Sequence, residues 1–107
     1  MNTSTNDKYI AEFMNVFTCH FDADVTNIDS DEQVTDAITS CTYSVVQRIP
    51  DVHSVTSYLQ EALSHWDWQH IAPFDAATCQ DWLFDERSEQ TLKRIMRGII
   101  SELEERG

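Results

Sequence analysis

Glycine and proline are scarce in this chain, with two of each in 107 residues. So few chain-breakers leave little material for tight turns, which argues for helices over a β-rich fold. No apolar run approaches the roughly 18 residues that a membrane span requires, so no membrane segment is expected. The opening MNTSTNDKY has neither the basic nor the apolar region of a signal peptide, which points to the cytoplasm. Cysteine is limited to Cys19, Cys41 and Cys79, far apart and odd in number. That is no disulfide framework. Each lies beside apolar helix positions, where a free cysteine serves as a small hydrophobe. Positive charge is the sparsest feature: no lysine or arginine stands between Lys8 and Arg48, nor between Arg48 and Arg87.

The chain does have enough apolar material to fold. Hydrophobic residues make up 41% and aromatics 10%. One domain is expected at this length, with a core that buries about 60–70% of the unfolded surface. The net charge is −12, and it is unevenly placed. Residues 1–86 hold 15 acids against 2 bases, whereas residues 87–107 hold 4 acids against 5 bases. A nucleic-acid binder shows the opposite sign, so direct nucleic-acid binding is excluded. An acidic field steers basic partners instead, such as a nucleic-acid-binding protein or complex of a host.

The clearest helical signal lies between Asp29 and Ile49. At about 100° per residue, Val34, Ala37, Ile38, Cys41, Val45 and Ile49 share one face. Asp29, Glu32 and Asp36 fall opposite. Ser30 with Gln33 has the form of a capping box, and Pro50 ends the helix. Before it, a first helix is expected from about Asn6 to His20, capped by Thr5 or Asn6. Its stripe is Ile10, Phe13, Met14, Phe17 and Phe21. Residues 22–28 form an acidic connection. A third helix is expected from Asp51 to His65, joined to the second by a hairpin or a sharp corner. Residues 66–74, WDWQHIAPF, break the helical period and read as a non-helical aromatic run. Asp75 is the expected cap of a short helix over 76–84, with Trp82 and Leu83 inward. Ser88 is the expected cap of a last helix over 89–105, with Leu92, Ile95, Met96, Ile99 and Leu103 inward. The fold class is therefore all-α, a compact bundle of about five helices.

Few patterns carry chemistry. Asp22, Asp24 and the acids from Asp29 to Glu32 are spaced like a calcium loop. However, Asn27 stands where that loop needs glycine, and Gln33 where it needs a bidentate acid. Cys19 and His20 are adjacent, and His65 and His70 are five apart; neither spacing puts two ligands on one helical face. No phosphate loop, nucleophile elbow or paired nucleophile and base appears. Neither an enzyme nor a cofactor is expected. What remains is acidity and aromatics. Asp22, Asp24, Asp29, Asp31, Glu32 and Asp36 form one base-free set, and Glu61, Asp67, Asp75, Asp81, Asp85 and Glu86 a second. Carboxylates four apart on a helix repeat at about 6 Å. Several helices together can therefore imitate a double row of phosphates, spaced at about 1.7 Å of duplex axis. The bland reading is a solvated face, which is what charge runs usually mean. Among the aromatics, Tyr43 projects from the acidic side of the second helix, while Trp66 and Trp68 serve either a partner or a core corner.

From residue 28 onward the chain resembles the small acidic phage antirestriction proteins of the Ocr type, which imitate bent B-form DNA. The resemblance rests on several features in order: the entry Asp29–Asp31–Glu32, Asp36–Ala37–Ile38 opening a helix, Val45–Val46, and the turn at Pro50–Asp51. Val55 in the next helix and Thr91–Leu92–Lys93–Arg94–Ile95–Met96 in the last complete it. It covers roughly residues 28–101. It implies an all-helical homodimer whose acids fill the DNA-binding groove of a host defence enzyme, with Asp29, Asp31, Glu32 and Asp36 standing in for phosphates. The chain departs from the family in three ways: it ends in Glu-Glu-Arg-Gly rather than a long acidic tail, it carries Lys93, Arg94 and Arg97 on its last helix, and its segment 64–86 is longer and richer in tryptophan. Restriction and CRISPR complexes are both expected target classes. The alternative is a small helical adaptor that binds a protein partner through the aromatic segment 66–74.

Overall fold

A single buried cluster draws its side chains from all five helices of the structure. This computed structural model describes residues 3–22, 24–78, 82 and 85–106, with the side chains of all but 3–7 and 77. Among these residues there is no strand, and the fold is an all-α bundle.

The second helix, α2, runs Asp31–Arg48, and its local chemistry explains both ends. Ser30 Oγ accepts from the Gln33 backbone N–H at 3.3 Å, the first half of the expected box. The other half is displaced: Gln33 Oε1 accepts from the Asn27 N–H at 2.9 Å, while the Ser30 N–H donates to the Asn27 carbonyl at 3.0 Å. At the far end Ile49 is extended, at φ −115° and ψ 111°, the conformation a following proline requires. All six residues expected on the apolar face are buried.

The first helix, α1, runs Thr3–Phe21. It starts earlier than the expected cap because no glycine or proline stops it from propagating into the polar leader. Phe13, Phe17 and Phe21 are buried, with Phe17 at the centre of an aromatic stack. Its ring centroid lies 5.8 Å from that of Phe13, 4.6 Å from Phe21 and 5.1 Å from Phe74. Arg48 reaches Glu12 while His20 meets Ser44, so α1 and α2 run antiparallel.

The third helix, α3, runs Val52–Ser64. It leaves α2 at a corner and packs on α1 and on the last helix, α5. That helix runs Glu86–Arg106, one turn longer than expected at its start. The cap is Asp85, not Ser88: its Oδ1 accepts from the Ser88 N–H at 2.8 Å. Both residues are good caps, and the earlier one wins because it also places Glu86 and Glu89 in the first turn, against the positive end of the helix dipole. Ile100, outside the stripe expected for this helix, is also buried within the chain, so it offers no free apolar surface for a dimer.

Residues 66–74 are the main correction. Most of that run is helix: α4 spans Trp68–Thr78. Asp67 caps it, accepting from the His70 N–H at 3.1 Å. Pro73 sits inside the helix and removes one backbone donor, but both Pro73 and Gln69, whose carbonyl loses its partner, are exposed to water. Asp75 is therefore mid-helix, not a cap. Its Oδ1 accepts from the Trp82 N–H at 3.0 Å and so holds Trp82 to α4. Trp82 is fully buried, as expected, and its Nε1 donates to Thr78 Oγ1 at 3.0 Å. Leu83 and Phe84 lie outside the described residues.

Helices α2 and α5 are parallel, since Arg94 bonds Asp31 and Glu102 accepts from Thr39 eight residues further along both. Gly98 makes their close approach possible: a Cβ there would lie 3.0 Å from Ile38 Cδ1 and 3.1 Å from its Cγ2. The buried threonines Thr26, Thr42, Thr56 and Thr78 all donate to backbone carbonyls. Among the described residues no buried side-chain polar atom lacks a partner.

Candidate interaction surface

The acidic residues divide into those that hold the fold and those that face water unpaired. Asp67 and Asp85 are helix caps. Hydrogen bonds from His70, through side chain and backbone, hold the Asp67 carboxyl below its ordinary range. Bonds from the Ser88 backbone and side chain do the same for Asp85. Asp75 accepts from the Trp82 N–H, and Asp22 accepts from the Asp24 N–H at 2.9 Å. Asp29 and Asp31 each face an arginine of α5: Arg87 at 3.4 Å and Arg94 at 2.9 Å. Arg94 also donates to Thr35 Oγ1 at 2.7 Å. The bases of the last helix therefore lie against the acidic entry to α2 and break the run of acids there. Asp29 precedes the cap of α2 and is not on its face. Asp81 lies outside the described residues.

Asp24, Glu32, Asp36, Glu61 and Glu86 remain exposed. The structure does not bring all five together. Glu61 lines a groove between α1 and α3 with Asp51, His53, Ser57 and Tyr58. Glu86 opens α5. Glu32 and Asp36 stand one turn apart on the outer face of α2, directly opposite its buried stripe. Asp24 belongs to the loop beside that face. Its neighbour Val25 and Asp36 line one cleft of about 240 Å³, together with His20, Gln33 and Ser40. Burial first, and then the Arg48 charge, push the His20 imidazole below its usual value.

Tyr43 continues the same outer face and is 56% exposed. Val46, one turn on, is 38% exposed, and Val25 is 59% exposed. Three of the four exposed large apolar side chains among the described residues therefore lie on α2 or on the loop beside it. Sequence reading missed Val46 and Val25. The signal for Val46 was available, since it falls outside the apolar stripe of its own helix. No such signal marks Val25 in its polar loop.

The tryptophans separate in the same way. Trp66 is half-buried against α5, donating to Glu89 Oε1 at 2.9 Å with Lys93 Nζ 4.8 Å above its ring. It is a packing residue. Trp68 is 60% exposed at the start of α4. Beside it, the rings of His65 and His70 stack with centroids 5.6 Å apart, and His70 Nδ1 lies 2.7 Å from Asp67 Oδ1. Five residues of separation do bring the two imidazoles together, because His65 caps α3 while His70 is in α4. Among the described residues, no three such side chains are grouped as a metal site.

Cys41 is buried and its thiol is pushed up to about 12, by burial first and the neighbouring Cys19 second. Cys19 is exposed rather than packed at an apolar position. Cys79 lies outside the described residues. No described helix is long and apolar enough to cross a membrane. The chain matches no protein-family model, no curated protein and no solved structure.

Proposed function

We propose that this protein is a non-catalytic inhibitor that places its acidic side in the nucleic-acid-binding site of a basic host protein. A DNA-targeting defence complex, of the restriction or CRISPR kind, is the class of target its resemblance to antirestriction proteins implies. The supporting observation is the outer face of α2, where Glu32 and Asp36 stand exposed, one turn apart, with no ion pair among the described residues. Fewer acids take part than the sequence offers. Asp29 and Asp31 are engaged by α5 arginines, and Asp67, Asp75 and Asp85 are held by backbone donors. The contact therefore depends on a local acidic face within a strong overall field, not on a continuous double row.

The test is competition between this protein and labelled duplex DNA for a purified defence complex. Displacement should weaken by about tenfold or more between low and near-physiological salt, since screening acts on opposed exposed charges. The variant Glu32→Lys/Asp36→Lys should lose displacement while keeping its helical content. Asp31→Lys is a poorer probe, because it also breaks the Arg94 contact. Unchanged displacement by the double variant would rule out charge mimicry at this face.

The exposure of Trp68 favours a second reading, an adaptor that docks through the α3–α4 corner. Under that reading Trp68→Ala abolishes partner binding and added salt leaves it nearly unchanged.

A further inference from the structure

We infer that the outer face of α2 is a seat for a basic amphipathic helix, with Tyr43 and Val46 as its apolar floor and Glu32 and Asp36 as its charged end. This rests on the reading of the protein as a ligand for a basic partner and names the element of that partner that is bound. Three observations combine. First, Tyr43 and Val46 are exposed neighbours on one helical turn, and tyrosine is among the residues enriched where protein surfaces meet. Second, two bases on the flanks are engaged: Arg94 by Asp31 and Thr35 on the α5 side, Arg48 by Glu12 on the α1 side. The face itself carries only negative charge, so a neutral or acidic occupant gains nothing at its upper end. Third, the charged and apolar parts are separated along one axis. Glu32 and Asp36 are about 6 Å apart along the axis and Tyr43 about 10 Å further. An occupant helix laid alongside meets them with basic residues at i and i+4 and apolar residues two turns beyond. Arginine suits the place better than lysine, because its flat guanidinium stacks on a tyrosine ring and also forks onto a carboxylate.

The experiment uses the full chain and two labelled synthetic peptides. One is helix-forming, with arginines at i and i+4 and leucines two turns on; the other is its scrambled isomer. Fluorescence anisotropy should show the patterned peptide binding about tenfold or more tighter than the isomer, the loss expected for one anchoring aromatic. Tyr43→Ser/Val46→Ser should bring the patterned peptide to the isomer's affinity and leave the isomer unaffected. Tyr43→Gln alone should do most of this, which keeps the test valid if the double variant folds poorly. Glu32→Gln/Asp36→Asn should weaken both peptides. Equal affinity for the two peptides, or a difference that survives loss of Tyr43, overturns the seat. If the isomer still binds in a salt-sensitive way, the acidic-surface reading stands without it. If neither peptide binds even at low salt, both readings fail.

Discussion

Asp85 and Asp67 show at the residue scale that much of this acidity is structural. Each carboxylate accepts backbone hydrogen bonds at a helix start and is held below its ordinary pKa. The unfolded chain takes up those protons first as the pH falls. The stability these groups contribute is therefore complete above the ordinary carboxylate value of about 4 and is lost as pH drops through the lower folded value. Asp85→Ala should lower the melting midpoint at neutral pH by several degrees. Asp85→Asn, which keeps the acceptor but not the charge, should stay near the parent at neutral pH and lose less on acidification. Melting followed by circular dichroism at neutral and acid pH checks both. His20 works in the same direction at higher pH. Its imidazole is disfavoured as a cation in the fold, so stability falls as pH drops from about 6.5 through its lowered value. None of these roles was legible in the sequence. A carboxylate that caps a helix and one that faces a partner look alike until the helix boundary is known, and that boundary is the least determinate feature of a periodic pattern.

Gly98 is a point of close approach between two elements, α2 and α5. Alanine is the better helix former by about 1 kcal/mol, so Gly98→Ala would stabilise an isolated helix. Here its Cβ would crowd both Cδ1 and Cγ2 of Ile38, and a β-branched side chain in a helix has little freedom to swing away. The expected net effect is a loss of roughly 1–2 kcal/mol, the usual range for overpacking. Gly98→Ala with Ile38→Ala should be less costly than the two changes summed, as urea denaturation would show. Phe17→Ala, at the centre of the aromatic stack between α1 and α4, should cost about 3–5 kcal/mol. Helices α1, α2, α3 and α5 were legible because each buries one face and repeats its apolar residues at the helical period. Helix α4 was not. It is apolar on most sides, contains Pro73, and begins with two tryptophans on either side of its capping aspartate, so no face stands out and a proline argues against it. The α2 surface was half legible: periodicity placed Glu32, Asp36 and Tyr43 outward, but the pairing of Asp29 with Arg87 and of Asp31 with Arg94 depends on packing between residues far apart in sequence, 63 apart for the second pair.

For the whole molecule, the question is whether the charge of −12 is an instrument or a by-product of staying dispersed. Stability and binding can be made to move in opposite directions to decide it. Asp36 is exposed, makes no ion pair, and lies beyond the first turn of α2, where a negative charge would be favoured by the helix dipole. Glu32 sits four residues before it, and the like charges cost about 0.2–0.5 kcal/mol. Asp36→Lys replaces that repulsion with an attractive Glu-to-Lys pair in its better orientation, exchanges a weak helix former for a stronger one, and reduces the net charge of the molecule. If acidity at this position served only dispersal, the variant should be more stable and otherwise equivalent. If the face is what a basic partner grips, the same variant should melt a few degrees higher and yet displace duplex DNA from the defence complex about tenfold less well, because a single reversed contact charge typically costs that much. A residue whose replacement improves the fold and impairs the binding is held in place by the contact, since the fold gives no reason to keep it.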